Sequence, residues 1–149
     1  MAITIPRPAD SKVGTTRLRT GSAHFSRVSL SVTRIVVAFL FACHGAQTLF
    51  GTRTVAAGSW PGWWAAAIEL VGGILVLLGL FTRPAAVLCS GAMAYAYFVV
   101  HQPNALLPLQ NKGELAALYS WVFLLIAILG PGSIALDAVL RRRAPKAAS

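Results

Sequence analysis

The apolar residues of this chain fall into four long runs, separated by short stretches that are polar or rich in glycine and proline. The first runs from Arg27 to Phe50, RVSLSVTRIVVAFLFACHGAQTLF. The second is Trp63–Phe81, beginning WWAAAIELVGGILVLLGL, and the third is Pro84–Val100, PAAVLCSGAMAYAYFVV. The fourth starts at Glu114 and continues through LAALYSWVFLLIAIL to the break Gly130-Pro131-Gly132. About 20 mainly apolar residues cross a bilayer core of about 30 Å as a helix. The pattern therefore predicts an all-α chain, an integral membrane four-helix bundle. A further short helix is predicted over Ser133–Leu140.

The breaks between the runs have their own logic. Gly51–Pro61, GTRTVAAGSWP, reads as a short loop, and Trp60, Trp63 and Trp64 suit the headgroup level. Thr82-Arg83-Pro84 reads as a tight reversal, with Pro84 in the first turn of the next helix, where its missing N–H costs nothing. Gln102–Gly113, QPNALLPLQNKG, is the longest internal loop and is expected to be irregular. Before the first run, Pro6, Pro8, Gly14 and Gly21 are expected to break any helix, leaving a disordered basic tail over 1–26. Its length argues against a cleaved signal peptide. The membrane domain then covers 27–140, and a second basic tail covers 141–149.

Composition strengthens this picture. Of 149 residues, 56% are hydrophobic and only 11% charged, too apolar for a soluble domain of this size. The net charge of +9 would point a soluble protein towards nucleic acid. Here the basic residues gather in the tails (Arg7, Lys12, Arg17, Arg19, Arg27, Arg141, Arg142, Arg143 and Lys146) and at Arg83 in the second reversal. The other two loops hold Arg53 and Lys112. By the positive-inside rule both termini are expected in the cytoplasm, in a multi-pass protein of the bacterial cytoplasmic (plasma) membrane. The partner implied by the charge is the lipid bilayer with its anionic headgroups, and no nucleic acid. Cys43 and Cys89 each stand alone in an apolar run, without zinc-ligand spacing, and read as small buried side chains, with a Cys43–Cys89 thiol pair open if two helices bring them together.

Ionisable residues inside the runs are the chemically informative positions, because a charge there must be neutral, paired or wet. At about 1.5 Å per residue, His44 lies roughly 9 Å inside the outer end of the first run, and Glu69 lies at a similar depth in the second. Gln47 is three residues from His44, on one helix face. His101 and Glu114 come at the outer ends of the third and fourth runs. His44, Gln47, Glu69, His101 and Glu114 thus form a candidate outer polar cluster. Two acids and two imidazoles can share protons, bind a divalent metal or hydrogen-bond a quinone carbonyl. The ligands form no compact metal motif, so no metal is assigned; His44 and Glu69 are the quinone candidates. The plainer reading is that His44 and Glu69 satisfy each other between helices. On the inner side, Arg34, Arg83 and Asp137 are expected to form a structural ion network, with Arg34 snorkelling towards the surface.

Three stretches, RIVVAFLFACHGAQTLFG (Arg34–Gly51), IELVGGILVLLGLFTRPAA (Ile68–Ala86) and NKGELAALYSWVFLLIAILGPGSIALD (Asn111–Asp137), resemble in order and spacing the signature blocks of the DoxX family. Arg34, His44-Gly45, Gln47, Glu69, Gly72-Gly73, Gly79, Arg83-Pro84, Asn111, Gly113-Glu114 and Asp137 stand at that family's patterned positions. The resemblance implies a small four-helix membrane protein. It also implies association with thiosulfate:quinone oxidoreductase or quinol oxidase systems, after which the family is named, or with thiol and cofactor-maturation settings. The lysine that many members carry after the HG-x-Q segment is replaced here by Thr48 and Leu49.

Three functional readings follow. One is a quinone-linked membrane subunit of a redox or thiol/sulfur-oxidation system, working with a peripheral redox protein. The second is a non-catalytic scaffold or assembly factor. The third is a small carrier, which with four helices needs a homo-oligomer. The sequence shows no CxxCH haem motif and no Rossmann or Walker glycine pattern.

Overall fold

The computed structural model describes residues 12–52 and 54–143. Residues 1–11 and 144–149, with Arg7 and Lys146 of the expected tails, and Arg53 lie outside the described residues. Helices account for every regular element among them. They are α1 (Lys12–Phe50), α2 (Gly62–Leu78), α3 (Thr82–Tyr95), α4 (Pro108–Asn111), α5 (Glu114–Leu129) and α6 (Leu136–Arg143). A π-helical turn, Ala96–His101, and a 3₁₀ turn, Gln102–Asn104, continue α3.

Two segments are long and apolar enough to cross a membrane, Phe25–Phe50 and Thr82–Asn104, of 26 and 23 residues. Gly62–Leu78 and Glu114–Leu129 are shorter apolar helices. Large apolar side chains face outwards on all four: Val36, Phe39 and Leu40, then Val71 and Ile74, then Val87 and Leu88, then Leu125 and Ile128. A soluble protein does not leave such continuous apolar surface open to water.

The structure corrects two boundaries. Helix α1 begins at Lys12, well before Arg27, and runs through Gly14 and Gly21. A glycine inside a propagating helix costs only about 1 kcal/mol, too little to end it. The loop Gln102–Gly113 is not irregular throughout, because Pro103 and Pro108 each sit in the first turn of a short helix.

Helix α1 packs on α2, α2 on α3, and α3 on α5. The core is built from Ala38 and Phe41 of α1, Val76 of α2, Ala86 and Cys89 of α3, and Phe123 and Ile126 of α5. Phe41 meets Phe123 with ring centroids 4.6 Å apart and Tyr119 at 5.1 Å. Small residues set the spacing of α1 and α2. A Cβ on Gly45 would come within 2.6 Å of Leu70 N and 2.7 Å of Ala66 O. The glycine-bearing face of α2 is therefore used inside the chain, with Gly72 and Gly73 both buried.

At the opposite end of α2, the expected ion network takes another form. Arg34 is 1% exposed and does not snorkel. Its Nη1 donates to Val76 O and to Leu77 O (2.9 Å), its Nε to Pro131 O (3.0 Å), and its Nη2 to Ile134 O. Asp137 accepts from Phe81 N (3.2 Å) and Thr82 N (3.5 Å). Among the described residues no ion pair joins Arg34, Arg83 and Asp137. The reason is that helix ends stand nearer than counter-ions. Arg34 meets the last carbonyls of α2, and Asp137 meets the first N–H groups of α3, each with the charge the helix dipole favours there. Gly79, at φ +72°, allows α2 to close with the paired bonds Leu80 N to Leu75 O and Gly79 N to Val76 O. Its own carbonyl accepts from Asp137 N (3.1 Å), so the reversal is held from α1 and from α6 at once.

Candidate functional site

His44 lies in the last third of α1 and Glu69 near the middle of α2. The close approach at Gly45 brings these two helix faces together. His44 Nδ1 and Glu69 Oε2 are 2.8 Å apart, a short hydrogen bond between helices and the ion pair found among the described residues. The two partners differ sharply in exposure. The Glu69 side chain is 8% exposed and that of His44 65%. Glu69 is sealed between helices, while the imidazole of His44 is largely exposed.

This geometry has direct chemical consequences. With one proton on Nε2 and one in the bond between them the pair is net neutral, whichever partner holds the second, so it sits in an apolar layer at far lower cost than a lone carboxylate. When Nε2 is bare and Glu69 is ionised, a proton received at Nε2 can be matched by one passed from Nδ1 to Glu69, which takes the pair from one negative charge to neutral. The same Nε2 can hydrogen-bond a carbonyl that arrives from the bilayer. Three cavities among the described residues, of about 530, 630 and 230 Å³, are lined by other residues. His44 is reached from its open face, since its side chain is 65% exposed.

The other members of the expected outer cluster do not join this pair. Gln47 is exposed, and its Nε2 donates at 3.4 Å to Thr52 Oγ1, closing the end of α1. His101 Nδ1 bonds the carbonyl of Asn111 at 3.1 Å. Asn111, 4% exposed, donates to Ala105 O (2.9 Å) and accepts from Gly113 N (2.7 Å). His101 thus ties the loop after the π turn to the end of α3. Glu114 is exposed in the first turn of α5, where a carboxylate favours the helix dipole. Depth along a helix was a good guide to height and none to azimuth. Among the described residues no three His, Cys, Asp or Glu side chains gather to hold a metal ion. Cys43 is exposed and Cys89 buried, and both are free thiols.

Two residues of importance escape a search for chemistry. Asn111 orders the loop onto which His101 bonds. Ser31, fully buried, accepts from Ser133 N (2.8 Å) and Ile134 N (3.1 Å), and so docks the α5–α6 connection beside Arg34. A signal for Ser31 existed, since it lies three residues before Arg34, on the same helix face.

No solved structure matches this chain. The chain is similar to an uncharacterized protein of Haemophilus influenzae, with 44% identity over a match that takes in 72% of this chain and 87% of that protein. The DoxX family profile matches residues 29–102, which include Arg34, His44, Glu69 and Arg83 and end short of the third resembling block, Asn111–Asp137. Together with the paired polar positions and the apolar outer faces, this identifies the chain as a member of the DoxX family.

Proposed function

We propose that this chain is the membrane subunit of a quinone-linked redox system, in which His44 binds a quinone carbonyl and shares its proton with Glu69. The observation that carries the reading is the 2.8 Å bond between an imidazole open to the outside and a carboxyl sealed inside. A quinone supplies two-electron, two-proton chemistry from within the bilayer. The donor set fits it: Nε2 of His44 is a hydrogen-bond group on an apolar face, and Glu69 orients the ring through Nδ1. In this reading electrons come from a peripheral redox protein, and the chain contributes binding and proton handling. Four crossings, by α1, α2, α3 with its continuation, and α5, make a four-helix bundle with both termini on one side. The basic residues place that side in the cytoplasm of a bacterial cell.

The competing reading is a non-catalytic scaffold or assembly factor, favoured by three cavities that lie away from the pair. The two readings separate in one experiment. Purified protein in lipid nanodiscs is titrated with a short-chain ubiquinone or menaquinone analogue, for wild type, His44→Ala and Glu69→Gln. Saturable binding by wild type, lost in both variants, is the expected result. Absence of binding by all three, with unchanged thermal stability, transfers the role to the scaffold.

A further inference from the structure

A second polar constellation lies at the α2–α3 reversal, far along the chain from His44. A cavity of about 630 Å³ is lined there by Thr82, Arg83, Pro131 and Asp137, with Phe81 and Leu140 at its apolar edge. It holds one acid and one base, and they are not bonded to each other: no ion pair joins Arg83 and Asp137 among the described residues. Asp137 is held by the first N–H groups of α3, through contacts of 3.2 and 3.5 Å that leave carboxylate lone pairs unused. Arg83 lies over Gly130, where a Cβ would come within 3.4 Å of its Nε and Nη2. Thr82 is 1% exposed, and its Oγ1 is the buried side-chain oxygen that has no hydrogen-bond partner among the described residues. Phe81 and Leu140, both exposed, continue the cavity onto the apolar surface.

A separated cation and anion in one recess with an apolar rim match a zwitterion that carries hydrocarbon chains. We propose that this recess holds the phosphoethanolamine headgroup of a membrane phospholipid, its phosphate on Arg83 and its ammonium on Asp137. The chemistry discriminates among headgroups. An ammonium has N–H donors for the spare lone pairs of Asp137, and a choline has none. A purely anionic headgroup would satisfy Arg83 but meet the Asp137 carboxylate with like charge. The site stands at the ends of α2, α3 and α5, which is headgroup level for any chain whose apolar helices cross the bilayer. It is independent of the quinone reading.

The test is lipid retention. Wild type is placed in nanodiscs of equal phosphatidylethanolamine, phosphatidylcholine and phosphatidylglycerol, partly delipidated, and weighed with its bound lipid by native mass spectrometry. Phosphatidylethanolamine is expected about fivefold above its bulk share, the scale of one charge-assisted contact. Arg83→Gln is expected to abolish that excess, and Arg83→Lys to keep most of it. Soluble inorganic phosphate at millimolar concentration is expected to leave it unchanged. Equal retention of the three lipids overturns the proposal, as does preference for phosphatidylglycerol, or an excess that survives Arg83→Gln. Displacement by phosphate alone assigns the recess to a free anion and overturns the lipid. The comparison of phosphatidylethanolamine with phosphatidylcholine on wild type needs no variant, so it decides the matter even where a substitution disturbs folding.

Discussion

Arg34 and Glu69 present the same problem and receive opposite solutions. Each is an ionisable side chain in an apolar helix, and each is almost sealed, at 1% and 6% exposure. Arg34 spends its donors on four backbone carbonyls from α2 and the α5–α6 connection. Every one of those groups belongs to the fold, and nothing about the arrangement can change without opening it. Glu69 takes one side-chain partner, and that partner is 65% exposed. Its bond can be remade with a different proton or a different ligand while the helices stay where they are. Burial alone does not mark a functional charge. What marks it is a partner that reaches the outside.

The largest effect is expected from the sealed charge. Arg34→Leu leaves several carbonyls without donors, and dry carbonyls cost about 1–3 kcal/mol each, so a loss of about 3 kcal/mol or more is expected. Reversible unfolding in mixed micelles measures it, and Arg34→Lys should recover part, since an ammonium reaches fewer of these acceptors. A leucine variant as stable as wild type would mean that Arg34 is not a clamp and would dissolve the contrast with Glu69.

Gly45 tests whether the open pair depends on helix spacing. Alanine there meets backbone atoms of α2 at 2.6 and 2.7 Å, and Glu69 Cβ at 2.9 Å. Relieving such overlap costs about 1–3 kcal/mol and pushes α1 from α2 at the level of the hydrogen bond. Gly45→Ala is expected to lose stability and quinone-analogue binding together. Retention of both would show that the pair tolerates a looser interface than its 2.8 Å bond implies.

These two residues also show what could be read in advance. The four apolar runs were legible because their ends carry glycine, proline or tryptophan, and because crossing a bilayer sets a minimum length. The His44–Glu69 pair was legible because a helix has a fixed rise, so equal counts from one end give equal depth. Azimuth around the helix was not, since it depends on which faces pack. His101 and Glu114 do not join the pair, and His101 turns to the Asn111 carbonyl. The partners of Arg34 were illegible for a different reason. They are backbone carbonyls, present at every position and therefore written in no particular residue. The early start of α1 escaped because glycines weaken a helix without stopping one that is already propagating.

Glu69→Gln probes charge with shape held nearly constant. Glutamine can still hydrogen-bond His44, so a stability change of about 1 kcal/mol is expected. It cannot accept a proton from the imidazole. Quinone-analogue affinity is expected to fall at least about tenfold. Equal affinity in the glutamine variant would reduce Glu69 to an orienting group and remove the proton from the reading.

The smallest stability effect belongs to His44, and it carries the sharpest discrimination. A side chain 65% exposed contributes little packing, so His44→Ala removes one hydrogen bond, worth about 0.5–1.5 kcal/mol. Most of that cost is felt at Glu69, left sealed without its partner. The substitution should therefore cost less when made together with Glu69→Gln than when made alone, and a double-mutant cycle reads the coupling directly. For a merely structural pair, binding and stability would fall in proportion. For a pair that serves a ligand, His44→Ala abolishes binding of the quinone analogue while stability hardly moves. That dissociation is what separates an exposed imidazole held for chemistry from a buried guanidinium held for the fold.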